Sequence, residues 1–219
     1  MKTKNTELLK KMAGIGIFAA LAFITTLICK LIPSVAGFLS LDAKDAVIAI
    51  ASFVYGPVAA PIISLIVAFI EFITISETGI WGFLMNFVSS TTFSLVASLI
   101  YKYRKSFNGA IIGFATAVAL TTGVMLALNP IIVPLYSGAP REVVIEMLPT
   151  VLLPFNFAKT LLNAAVAILL YKPAINALRS ARLVKRSEHK VEFNKISILT
   201  LIVGGVSLLS ALVILIIIW

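Results

Sequence analysis

Ala46 to Ile70 is 25 consecutive residues without a charged side chain, and Ile196 to Trp219 is another 24. Runs of that length leave few folds open. In hydrocarbon no water satisfies the backbone, so each segment must bond its own N–H and C=O groups as a helix or close into a barrel. The alternation of a barrel strand is absent, and the runs have helix length. Apolar residues make up 60% of the 219-residue chain and charged ones 12%, against about 45–50% and about 25% in a soluble domain. The fold class is therefore an all-α integral membrane protein.

At 1.5 Å per residue about 20 apolar residues cross a bilayer. Candidate spans are 10–32, 44–55, 57–75, 80–101, 107–128, 150–171 and 196–219. The stretch from Met12 to Cys29 is 18 residues, longer than a cleaved signal core, so it is read as a retained helix. The long run from Ala46 is split by Gly56-Pro57, because proline has no amide donor and glycine tolerates any φ.

Charge supports the split. With a hairpin there, 14 of the 18 Lys and Arg fall on the side of the N-terminal lysines. These include Lys102, Arg104, Lys105, Lys172 and the basic positions from Arg179 to Lys195. Lys30, Lys44 and Arg141 fall on the other side, and Lys159 falls inside the membrane. A single span would scatter the clusters across both sides, against the positive-inside tendency. The N-terminus is thus placed in the cytoplasm. The first arm, 44–55, is too short to cross alone and is expected to pack inside the protein. The expected architecture is a six-helix transmembrane bundle with a seventh C-terminal transmembrane helix. Residues 1–185 form the bundle, 186–195 a basic polar linker containing His189, and 196–219 the extra helix.

The net charge of +9 is explained by topology rather than nucleic acid, which needs a basic face on a folded surface. The lone Cys29 excludes an internal disulfide. There is no nucleotide-binding loop, no H-E-x-x-H and no paired His/Cys set, so neither an ATPase nor a metal enzyme has residues to stand on.

The polar residues inside the spans gather in one leaflet. Asn156, Lys159 and Asn163 share one helix face at i, i+3 and i+7. Asn156 and Lys159 lie about 9 and 13 Å below the outer surface, Asn86 about 10 Å and Glu71 about 6 Å. Asn129 closes span five at the outer surface, and Asp42, Lys44, Asp45 and Glu77 sit in outer loops. A cation near the bilayer centre costs at least about 2.5–3.5 kcal/mol on insertion scales, so Lys159 needs a compensating role. A ligand pocket opening outward is one reading, with Trp81, Phe87, Tyr136 and Phe155 near enough to pack a flat ligand. Interhelical adhesion by the asparagines with a Glu71–Lys159 ion pair is another. On span one, Gly16 and Ala20 form a small-xxx-small surface that permits close approach of a second helix. A proton-driven transporter using Glu71, or a membrane enzyme pairing Glu71 with Lys159, would draw on the same residues.

Four stretches carry a resemblance: "FLSLDAKD" in the first outer loop, "FVYGP" at the hairpin, "EFITISETGIWGFLMN" entering span four and "LPFNFAKTLLNAA" in span six. Over roughly residues 8 to 185 the chain resembles the substrate-binding S component of energy-coupling-factor (ECF) vitamin transporters, of the riboflavin-specific type. The resemblance implies a six-helix bundle whose outer half holds the vitamin under the first loop, and a non-enzymatic role. It implies riboflavin contacts on Asn129, Asn156 and Lys159, and on Leu41, Asp42 and Asn86. The transported ligand would be riboflavin, its phosphate FMN, or another vitamin. The implied partners are a membrane coupling subunit, approached through Gly16 and Ala20, and two ATPase subunits. The family's motif on span one is alanine-based, and Gly16 replaces its first alanine. The chemistry suits riboflavin: asparagine amides donate and accept, matching an imide edge, and an ammonium adds a charge-assisted donor.

Overall fold

The computed structural model describes residues 2–180 and 193–218. Most of the expected linker, His189 included, lies outside the described residues, as does Trp219. The described elements are all helical: α1 (Lys2–Cys29), α2 (Lys44–Tyr55), α3 (Ala59–Thr74), α4 (Gly79–Tyr103), α5 (Phe107–Ser137), α6 (Arg141–Met147), a π-helical turn (Leu148–Leu152), α7 (Leu153–Ser180) and α8 (Phe193–Ile218). α1, α4, α5 and the stretch Arg141–Tyr171 are long and apolar enough to cross a membrane, while α3 and the Leu201–Ile217 part of α8 are shorter apolar helices. Large apolar side chains such as Leu21, Ile24, Phe69, Ile73, Ile112 and Leu120 point outward. A water-soluble fold avoids an exposed apolar surface of this extent, whereas hydrocarbon requires it.

The hairpin forms where expected. Gly56 ends α2 at φ +97°, its N–H bonded to the Ser52 carbonyl, and Pro57 follows outside the helix. The short arm is indeed an internal element. Its residues from Lys44 to Ser52 are all buried, and it packs against α1, α3, α4 and α7. Alanines at 46, 49 and 51 let four neighbours approach it closely, around a core that includes Phe18, Ile63, Val67, Phe93 and Phe114.

Two expectations need correction. Span five does not stop at residue 128 with Asn129 at the surface: α5 continues through Pro130 and Pro134 to Ser137, and Asn129 is buried inside it. A proline removes one helical hydrogen bond but need not end a helix in a membrane, where nearby polar side chains re-satisfy the backbone. The carbonyls that lose a helical donor are those of Leu126 and Pro130, four residues before the two prolines, and the helix ends only at Gly138, with φ +70°. Span six, expected from residue 150, is preceded by the short helix α6 and the π-helical turn.

α4 and α5 touch through Gly113, where an added Cβ would lie 2.8 Å from the Ala97 carbonyl oxygen. Gly123 of α5 has open space instead. Gly113→Leu is therefore expected to destabilise the bundle by about 1–3 kcal/mol, read as a lower unfolding midpoint in detergent. Gly123→Leu should not lower it.

Candidate functional site

At the end of the bundle that holds the α1–α2 loop and the α3–α4 turn lies a cavity of about 520 Å³, within the range that holds a small organic ligand. Leu41, Asp42, Asn86, Asn129, Asn156 and Lys159 all line it. They come from the loop after α1 and from α4, α5 and α7, so the fold gathers into one wall residues more than 100 positions apart in sequence.

Its electrostatics rest on a chain of four charges. Lys159 Nζ lies 2.8 Å from Asp42 Oδ2, and Lys44 Nζ lies 3.7 Å from the same oxygen. Lys44 then reaches both oxygens of Glu71, at 2.7 and 2.8 Å. Asn86 Nδ2 donates to Glu71 at 2.9 Å and Thr26 Oγ1 at 3.1 Å. The Glu71–Lys159 pair considered from sequence does not form: Glu71 pairs with Lys44, and Lys159 with Asp42. Lys44, the first residue of the expected span 44–55 but grouped with the loop charges, is the first residue of α2 and is buried, with its ammonium on Glu71. Asp45 likewise sits inside, accepting a hydrogen bond from Ser90.

Asn163 shares a helix face with Lys159 but serves the frame rather than the cavity wall. Its Oδ1 accepts from the Ala46 N–H at 2.9 Å, and its Nδ2 donates to the carbonyls of Asp42 at 2.8 Å and Lys159 at 3.0 Å. One fully buried amide thus joins α7, the end of the loop and the start of α2. The loop itself, residues 30–43, folds into a small hairpin. Val35 and Leu39 exchange backbone hydrogen bonds at 2.9 and 3.0 Å, with Ala36 and Gly37 both at positive φ.

Asn129 and Asn156 each donate one amide hydrogen to the carbonyl four residues back, at 2.7 Å. Their Oδ1 atoms carry no hydrogen bond among the described residues, which leaves two acceptors for a ligand that brings N–H or O–H groups. Aromatic rings supply the flat surfaces. Tyr136 and Phe155 line the cavity as anticipated; Trp81 and Phe87 do not, and Phe38, Phe72 and Phe83 do. They form two edge or tilted pairs, Phe38–Tyr136 at 6.2 Å and Phe72–Phe83 at 5.9 Å. Phe83 could have been found from its position one turn before Asn86, on the same face. Phe38 could not, because nothing local says which way a loop residue points. Gly16 and Ala20 do not line the cavity and are exposed on α1.

Fold and cavity together define a multi-pass helical membrane protein built around a polar cavity. Residues 10–175 match the family model of the ECF transporter, substrate-specific component. The riboflavin transporter RibU of Staphylococcus aureus (strain TCH60) is 30% identical over 181 residues, 80% of this chain and 95% of that protein. The riboflavin transporter FmnP of Bacillus subtilis (strain 168) is 26% identical over 186 residues, 80% of this chain and 98% of that protein. A solved structure of the S component of a bacterial ECF transporter superposes with a TM-score of 0.67 at 30% identity, covering 78% of this chain and 99% of its own. The chain belongs to the family of ECF transporter substrate-specific components.

Burial disfavours the ionised carboxyl of Asp42, but Lys159 and Lys44 outweigh that cost and hold it below its ordinary 3.8. A group with a depressed native pKa contributes its full stability above the unfolded value, about 3.9, and loses it as pH falls through the native value. Asp42→Asn leaves two buried lysines short of a counter-charge, so at neutral pH it should destabilise the empty protein by about 3 kcal/mol. The gap in unfolding midpoint between wild type and variant should close in acid below pH 3.8.

Proposed function

We propose that this protein is the riboflavin-capturing subunit of an ECF importer, taking the vitamin from the outer face and passing it inward with partner subunits. The observation that carries the reading is that one cavity collects all six residues expected to touch the vitamin, in a chain 30% identical to a riboflavin transporter over 80% of its length.

The flavin ring is flat, with an imide edge, and carries a polyhydroxyl tail. The free Oδ1 atoms of Asn129 and Asn156 suit the imide N–H and tail hydroxyls as acceptors. Lys159 gives one N–H to Asp42 and one to the Ser40 carbonyl at 3.4 Å, which leaves the third for a ring carbonyl, a charge-assisted bond. Leu41 and Asp42 form the loop side of the site, and Asn86 closes its floor beside Glu71. The rings of Phe38, Tyr136, Phe72 and Phe83 cover apolar faces of the ligand. A ligand lacking the polar edge leaves buried groups unpaired and is rejected for that reason.

In this reading residues 1–185 are the substrate-binding bundle, with the N-terminus in the cytoplasm. The exposed Gly16 and Ala20 of α1 form the face that meets the membrane coupling subunit, where the lack of side-chain bulk permits close helix approach. Two ATPase subunits provide the energy, since the chain carries no phosphate-binding loop. The helix after the linker, α8, is an addition to the six-helix unit. It packs against α7 and lies beyond the matched residues 10–175.

Two measurements test the reading. Protein purified in detergent after growth with riboflavin should be yellow and show flavin absorption bands; a colourless preparation that fails to take up added riboflavin overturns it. Asn156→Ala and Lys159→Ala should each weaken riboflavin binding by about 1–3 kcal/mol. Titration curves identical to wild type for both would remove these residues from the site.

A further inference from the structure

The cavity is charge-balanced. Its lining carries three cations, Lys30, Lys44 and Lys159, and three anions, Asp42, Glu71 and Glu77. Four of these form the buried chain described above, and each is committed to a neighbour. The remaining two, Lys30 and Glu77, stand at the rim. Lys30 follows the end of α1, and Glu77 lies in the turn between α3 and α4. Their side chains meet at 3.2 Å, 32% and 81% exposed. This contact joins the end of α1 to the turn that follows its neighbour α3 and takes up the one lining cation outside the buried chain.

A phosphate monoester carries about −1.5 to −2 charges at neutral pH and demands paired cations when it leaves water. Among its lining residues the cavity has no surplus cation to offer. A phosphoryl group on the end of a flavin's tail is also its most strongly hydrated part, so it stays nearest the opening. There it meets the carboxylate of Glu77, while the ammonium of Lys30 is engaged elsewhere. We propose that the Lys30–Glu77 pair is a specificity element that makes the site select a neutral flavin over its phosphate ester. Glu77 repels the ester and holds Lys30 away from it. The inference rests on the riboflavin reading above and adds to it which residues set the choice between two ligands sharing the same ring.

The test is the ratio of dissociation constants, FMN over riboflavin, from flavin fluorescence titrations of the full chain in detergent. Wild type should show a ratio well above one. Glu77→Gln should lower the ratio at least about threefold at low ionic strength, the scale of one exposed charge interaction. The shift should shrink at about 0.5 M salt, where the Debye length falls to a few ångströms. Lys30→Gln should raise the ratio, and Glu77→Gln should gain less in the Lys30→Gln background because no cation is released. Glu142→Gln, at an exposed carboxylate of α6 outside the cavity lining, should leave the ratio where it was. An unchanged ratio in Glu77→Gln, or an equal fall in Glu142→Gln, overturns the proposal while leaving riboflavin binding intact. Wild-type protein that binds neither flavin overturns the riboflavin reading and this inference with it.

Discussion

Two lysines inside a membrane protein, Lys44 buried and Lys159 half-buried at the cavity wall, impose the constraint on which the rest of the structure turns. A charged side chain at membrane depth is tolerated only where a partner and hydrogen bonds replace its water. Here Lys159 and Lys44 are satisfied by Asp42 and Glu71 in an alternating chain. The four residues sit on α7, the loop after α1, α2 and α3, so neutralising the cations also fixes where those segments meet. Asn86 and Thr26 tie α4 and α1 to the same chain through Glu71. The cavity is the space these residues leave when each charge is matched. Its polar wall is thus a consequence of holding the bundle together, and the two roles cannot be assigned to separate residues.

The element that makes this possible is α2. It offers lipid almost nothing, is short, and is surrounded by neighbours on every side. Being internal, it can carry Lys44 and Asp45 in its first turn without exposing either to hydrocarbon, and its alanines bring the outer helices close enough to share those charges. Asp45 is bonded by Ser90, and Ser94 donates to its backbone carbonyl at 3.3 Å, so α4 is sewn to α2 by the same economy of short side chains.

Much of this was legible in the sequence, for physical reasons. Apolar run length set the helices, Gly56-Pro57 set the hairpin, and the distribution of lysine and arginine decided between a hairpin and a single crossing. Asn86, Asn156 and Lys159 converge because polar groups at membrane depth have few places to go, whereas Leu41 and Asp42 entered the set only through the family resemblance of the first loop. What was not legible is pairing at long range. Whether Lys159 meets Glu71 or Asp42 depends on how a loop folds some 117 positions earlier, and no local pattern encodes it. Span two was set to begin at Lys44, as α2 does, but Lys44 was also grouped with the loop charges because a lysine at a helix start usually faces water. The continuation of α5 through Pro130 and Pro134 was missed because proline breaks helices in water more readily than in a membrane bundle. The cavity's rings were half anticipated: Tyr136 and Phe155 from their neighbourhood, but not Phe38, whose direction is set by the left-handed pair Ala36-Gly37.

The amide of Asn163 marks where the first loop is held. Because it clasps the Asp42 carbonyl and the Ala46 N–H together, and Lys159 Nζ donates to the Ser40 carbonyl at 3.4 Å, the downstream end of the first loop is pinned to α7 and α2. The Val35–Leu39 hairpin thus hangs from a stem that α7 holds at two successive turns.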